Sequence, residues 1–412
     1  MKLIILLVII FSGNIVAQDF SEIEIQEFDG QLLNTDADCL DTYNGNKGRK
    51  LLRGRNQRGN NWFFIGVGQA DISAPIDNPN YVNSVQNAFT LASLRAKREM
   101  AEFLSKEIED EIIATTIEAI KTGKKPTAVA KERADLKDRR AKYEASGIIE
   151  KAFMLAHQKL DEMIGEELNI EQAENALQSR LDRILAQDTF KRITTTTAYS
   201  EIRGMKNLFI RVSETNACVV SVFSSKTRLW ADAIATEEYE IIRSLANGRK
   251  TMDEVIPDKR NSNGLRKLLG SFGTMVDVDR NGDIYIVSFA QAGAIDSSAD
   301  RLNSARKIAQ VQAKAQIIQF LNEAVDVYSR LEQIEITTTN VDETKDYYSE
   351  RDFLDRLSAS SKANLKGLQV HSWWAANHPY TKKPVVGTVV TWTPSAVDFV
   401  EEMNNENEYT DF

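Results

Sequence analysis

The chain has 412 residues, with 51 Lys and Arg against 60 Asp and Glu, and a formal net charge of -9. That acidic balance argues against generic nucleic-acid binding, which needs a basic footprint. The length suits two or three domains at roughly 100–200 residues each.

The first 17 residues read as a secretory signal peptide. Lys2 supplies the positive start, Leu3 to Phe11 is an unbroken apolar run of nine, and Ile15 and Ala17 stand three and one residues before a cut at Gln18. A bilayer span needs roughly 20 residues, and no later segment is long and apolar enough to span. The expectation is an exported product, periplasmic or at the cell surface; the alternative is a retained N-terminal anchor. Removing Lys2 takes the charge from -9 to -10. No Cys stands at the cut, so lipid attachment is not indicated.

Residues 18–46 read as an acidic arm with eight carboxylates and no Lys or Arg, in which SEIEIQEF alternates like an edge strand. A basic stretch comes next: Lys47, Arg49, Lys50, Arg53, Arg55 and Arg58, with no acid among them. Such a patch suits an anionic envelope polymer or a lipid headgroup. The bland alternative is that it neutralises the acidic arm beside it, or is simply a solvated face. In an oxidising compartment Cys39 and Cys218 can form one bridge tying the arm to the first repeat; otherwise they are two buried thiols.

From here the chain writes itself twice. WFFIGVGQA and an Ala-rich run to Ile108 return as DIYIVSFAQA and QAKAQIIQFLNEAV. Gln69 and Ala70 match Gln291 and Ala292 at a shift of 222, while Ala92, Ala96, Phe103 and Leu104 match Ala309, Ala313, Phe320 and Leu321 at 217. Arg49 to Leu52 recurs as Arg266 to Leu269. Gly66 and Gly68 lack the third glycine of a phosphate loop, so they read as places where a strand bends or another backbone comes close. Apolar residues at 89, 92, 96, 100, 103, 104, 108 and 112 give the buried stripe of a long helix.

Residues 109 to about 188 read as a helical-hairpin insertion in the first copy, with a charged solvated helix and two amphipathic stripes. From Phe190 the period becomes two, and three segments to Ser225 suit an antiparallel meander. The second copy answers with LSASSKANLKG, LQVHSWWAANH and KPVVGTVVTWT, pairing Gly204 with Gly367 and Val219–Val220 with Val385–Val386. The fold class is therefore α+β: a tandem duplication of a unit made of a strand, a long helix and a three-stranded antiparallel meander. The first unit spans 47–245, the second 246–400, and 401–412 is an acidic tail of disordered composition.

Two clusters invite chemistry. Asp277, Asp279, Asn281 and Asp283, with Gly282 at the sixth position, match the first part of a calcium loop. The twelfth position is Ser288 where a bidentate Glu belongs, and an Asn-Gly hairpin turn explains the same letters. His371, Trp373, Trp374 and His378 are the second cluster. Tryptophans can seat a sugar ring, but strand alternation puts His371 and Trp373 on one face and Trp374 on the other, so at least one Trp belongs to the core. No nucleophile stands beside a base in a known motif, and no cofactor is indicated beyond the calcium loop.

Gly-Val-Gly-Gln-Ala (66–70), followed by Ala-Ser-Leu-Arg-Ala-Lys-Arg-Glu-Met-Ala (92–101), resembles modules found in membrane-associated envelope lipoproteins and in the N-terminal part of a flagellar basal-body ring protein. The resemblance implies an envelope-associated structural or assembly role and carries no active-site residues across. The expected function is thus a non-enzymatic exported envelope protein that works through contacts with an envelope protein or with itself. A glycan or peptidoglycan binding module is the alternative, and a hydrolase with an unrecognised site the third.

Overall fold

The computed structural model describes residues 38–58, 61–78, 80–122, 194–195, 197–198, 202–239, 250–321 and 367–398. The expected leader, the arm before 38, residues 123–193 of the expected insertion and the expected acidic tail lie outside the described residues.

The first unit begins with helix α1 (Cys39–Lys47), then strands β1 (Gly54–Arg58) and β2 (Asn61–Asp71), long helix α2 (Tyr81–Thr122), strands β3 (Lys206–Val212) and β4 (Asn216–Ser224), and helix α3 (Ser225–Ala235). The second has short α4 (Met252–Val255), α5 (Ser262–Leu269), β5 (Gly273–Val278), β6 (Ile284–Gly293), α6 (Ala299–Leu321), β7 (Gln369–Asn377) and β8 (Pro384–Trp392). Each unit makes one antiparallel four-stranded sheet, ordered β1-β2-β4-β3 and β5-β6-β8-β7. The α+β tandem duplication is thus present, with matching topology.

Ladder register fixes which residues correspond. Gln69 faces Cys218 and Gln291 faces Gly387. A bulge between Asn207 and Phe209 recurs between Val370 and Ser372. Gly204 and Gly367 precede these strands with φ of 77° and 81°. Cys218 therefore corresponds to Gly387, and Val219–Val220 to Thr388–Val389, three residues beyond the pairing expected from the letters. A Val-rich strand offers several near-equal alignments, and hydrogen bonding selects one.

Three other expectations change. Residues 194–195 and 197–198, read as strand, are helical, and the fourth strand of the first sheet is β1. The stretch read as the end of an arm is α1, capped by the Asp38 carboxylate, which accepts from Leu40 N, and closed by Gly48 in the left-handed conformation. Arg49–Leu52 follows that glycine, whereas Arg266–Leu269 ends α5 before Gly270, so these matching letters lie on different structure.

Both sheets are covered on both faces. In the first, Ala70, Ala217 and Val219 pack under Phe89 and Ala92 of α2, while Ile65, Val67, Val220 and Val222 pack under Leu40 and Tyr43 of α1. Cys39 and Cys218 form a disulfide, with Cα atoms 6.1 Å apart, joining α1 to β4. Gly66 and Gly68 permit the close approach of α2: a Cβ on Gly66 would lie 2.2 Å from the Ala96 carbonyl oxygen, and one on Gly68 1.8 Å from that of Ala92.

The second sheet takes part of its cover from the first unit. On one face α6 is joined by Trp230, Ala231 and Ile234 of α3. On the other, Leu268 of α5 is joined by Val82 of α2 over Tyr285, Val287 and Phe289. Strand β5 reaches only as far as Phe289 along β6. Beyond it, Gln291 N donates to Gln86 Oε1 (3.2 Å) and Gly293 N to Asn83 Oδ1 (2.9 Å), so two amides of α2 stand where a neighbouring strand would. Gly204 N donates to Phe320 O at 2.8 Å, and Lys206 Nζ to Val276 O at 3.3 Å, across the same junction.

Gly68→Ala should overpack the α2 contact and destabilise by about 1–3 kcal/mol or more, and Asn83→Ala should cost about 1–3 kcal/mol through the orphaned Gly293 N–H. Chemical denaturation of the oxidised protein measures both. Wild-type stability in either variant would contradict the corresponding contact.

Candidate interaction surface

Strand β7 is the last strand of its sheet and is nine residues long. It carries no Lys, Arg, Asp, Glu or Pro, the residues by which edge strands are usually blunted. Its two tryptophans separate. Trp374 is buried, and a Cβ on Gly387 opposite would lie 2.0 Å from its indole, so this ring fills the glycine gap and is closed to a sugar. Trp373, 43% exposed, lies on the α6 side, with Arg306 Cζ 5.1 Å and Lys259 Nζ 5.6 Å from its ring centroid. Lys259 Nζ also donates to Trp373 O at 2.7 Å. Two cations on one indole face an electrostatically favourable ring.

His371 does not share a face with Trp373. The bulge at this residue breaks the alternation, and His371 Nε2 lies 3.5 Å from Asp253 of α4, which packs on the face opposite α6. His378 is in the turn after β7, where its Nδ1 accepts from Tyr380 N (3.4 Å) and Thr381 N (3.3 Å) and its ring meets Tyr81 edge-on at 5.7 Å. Burial, with Lys382 adding to it, holds the His378 pKa down at about 4. Burial, helped by Glu214 and Tyr380, pushes the Tyr81 hydroxyl up to about 12. Both line a cleft between the units, with Val85, Phe272 and Gln291; its volume of about 20 Å³ admits roughly one water.

The segment 277–283 ends β5 and forms the hairpin turn into β6. Asp279 Oδ1 accepts from Asn281 N (2.7 Å) and Asp283 N (2.9 Å), while Asp279 Oδ2 accepts from Asn281 Nδ2, so this carboxylate is turned into its own loop. Asp277 Oδ1 accepts from Val278 N, Gly282 has φ 89°, and Arg280 pairs with Glu254. Ser288, the twelfth position, lies within β6 and donates to Gln316 Oε1. Among the described residues no group of three His, Cys, Asp or Glu is placed to hold a metal, and no helix is long and apolar enough to cross a membrane.

Three of the six residues of the basic stretch have partners within their own unit. Arg53 pairs with Asp38 and Glu99, Arg55 with Glu107, and Arg49 donates to Tyr43 OH. Among the described residues only the Arg53–Asp38 pair reaches an acid of the arm; Glu99 and Glu107 belong to α2, and the Tyr43 hydroxyl holds Arg49. The partners of Trp373 were beyond sequence reasoning, because Lys259 is 114 residues away. The legible signal is the absence of charged residues from β7, the first strand of the C-terminal hairpin.

No known protein-family model and no curated protein matches the chain. Among solved structures it is similar to a hypothetical protein, FTT1539c, from Francisella tularensis, at 17% identity, with 80% of this chain and 83% of that one covered and a TM-score of 0.42.

Trp374→Ala should destabilise by about 3–5 kcal/mol, and Trp373→Ala by far less; equal losses in thermal or denaturant unfolding would contradict their assignment. The His378 site also sets a pH dependence. The unfolded imidazole takes a proton near 6.5 and the folded one only near 4, so stability is full above 6.5 and declines as pH falls to about 4. His378→Asn keeps an acceptor for the turn without titrating. Its melting temperature should fall less than that of the wild type between pH 7 and 4, and parallel profiles would rule the contribution out.

Proposed function

We propose that this chain is an exported, non-enzymatic structural or assembly protein of the bacterial cell envelope that acts through protein–protein contacts. The observation that carries the reading is the long edge of β7, a strand without charged residues, beside the half-exposed Trp373, with no strand paired beyond it among the described residues. Open strand edges and exposed indoles are what partner chains engage. The Cys39–Cys218 disulfide supports an oxidising compartment, in keeping with the leader-like first 17 residues.

A glycan-binding reading keeps one specific support: Trp373 with Arg306 and Lys259 suits a sugar bearing an anionic group. Trp374 has no part in it, since its indole is buried.

Cell fractionation followed by crosslinking and co-purification tests the main reading. The expected result is a processed protein in the envelope fraction that brings specific envelope proteins with it, and loses them on Trp373→Ala. A cytoplasmic protein with its leader uncut, or a monodisperse monomer that captures nothing, would refute it. Retention on purified peptidoglycan that Trp373→Ala abolishes would favour the glycan reading instead.

A further inference from the structure

We propose that β7 is a docking edge for an extended acidic segment of a partner protein, which adds a fifth strand to the second sheet. The inference rests on the protein-contact reading above and names the chemistry of the partner.

The backbone supplies the first argument. Trp373 O is turned away from β8, since it accepts from Lys259 Nζ. In an antiparallel strand, the N–H and C=O of one residue point the same way, and alternate residues repeat that direction. The Trp373 N–H and both backbone groups of Ala375 therefore point off the open edge, where no strand pairs with β7 beyond β8 among the described residues. Lys259 guards a single acceptor of that row. The other sheet edges are less available: β1 has only five residues and carries Arg55 and Arg58, while β3 and β5 lie beside each other, with Lys206 reaching Val276 O.

Charge supplies the second. Arg53, Arg55, Arg203 and Arg228 each pair with a carboxylate. Arg306 and Lys259 pair with none among the described residues, and both lie on the ring of Trp373. Two uncompensated cations at one strand edge of an acidic protein favour an anionic partner. A strand added to β7 alternates its side chains between the two faces of the sheet. Those on the α6 side fall beside Arg306 and Trp373, and those on the other beside Ala376 and the edge of the core around Trp374. The sequence that fits is one of alternating carboxylate and apolar residues. Lys259 then exchanges Trp373 O for a partner carboxylate, which frees the acceptor it covers.

The test uses the full oxidised chain and three synthetic peptides of about ten residues: alternating Glu and Ile, alternating Lys and Ile, and Glu and Ile in two blocks. Fluorescence anisotropy reads binding, and amide exchange reads the edge. The alternating acidic peptide should bind, and the other two should bind at least about tenfold more weakly. Its binding should slow exchange of the Trp373 and Ala375 amides. Arg306→Glu with Lys259→Glu should weaken it by about tenfold or more, and Ala375→Pro, which removes an outward N–H, should do likewise. Should Ala375→Pro fail to fold, backbone N-methylation of alternate peptide residues decides the matter on the wild-type chain: one of the two methylation registers must abolish binding. Equal binding of all three peptides, no binding at all, or unchanged exchange in β7 would overturn the proposal. Partners captured from the envelope despite such a result would leave the broader assembly reading standing, so the two failures are distinguishable.

Discussion

Helix α2 lies between two sheets, and the rest of the structure depends on the closeness of its contact with each. Against its own sheet the approach is backbone on backbone, with Gly66 and Gly68 under the carbonyls of Ala96 and Ala92, a distance at which any side chain would collide. Against the other sheet the same helix offers Val82 to the core and the amides of Asn83 and Gln86 to the free N–H groups of β6. Buried strand donors need partners, so β5 can stop early only because α2 is there. The two units therefore share cores, and α3 completes the second sheet from its other face.

The copies are alike in topology but unequal in this respect. The residues of α6 that correspond to Val82, Asn83, Gln86 and Phe89 are Ala299, Asp300, Asn303 and Arg306, the first three exposed and the last free to lie on Trp373. Those four positions lack the apolar contact that Val82 and Phe89 provide in α2, while Ile308 and Val311 of α6 stand exposed. The same divergence supplies the guanidinium at the β7 edge.

A second divergence sits at one position of the central strands. Where β4 has Cys218, joined to α1, β8 has Gly387, covered by the Trp374 indole. Both devices close the outer face of a sheet, one by a covalent tie and one by bulk. Trp374 faces Gly387 in the register where Arg211 faces Cys218, and Arg211 reaches Thr42 of α1 instead. Tryptophan beside tryptophan in the letters thus conceals two roles, a filler for the core and an exposed ring at the edge.

The letters alone carry the α+β class, the duplication, the long helix with its buried stripe, and the close-contact role of Gly66 and Gly68. Each rests on local periodicity or on the absence of a side chain, which the letters state directly. Folding in three dimensions settled the three-residue correction in β8, the helical state of 194–195 and 197–198, the bulge that turns His371 from Trp373, and the separate fates of Trp373 and Trp374. It also decided that Asp279 serves its own turn, that Arg53 and Arg55 serve α2, and that Lys259 and Arg306 meet on one indole. These depend on hydrogen-bond register and on residues tens to over a hundred positions apart, where competing arrangements differ by contacts that no local pattern records.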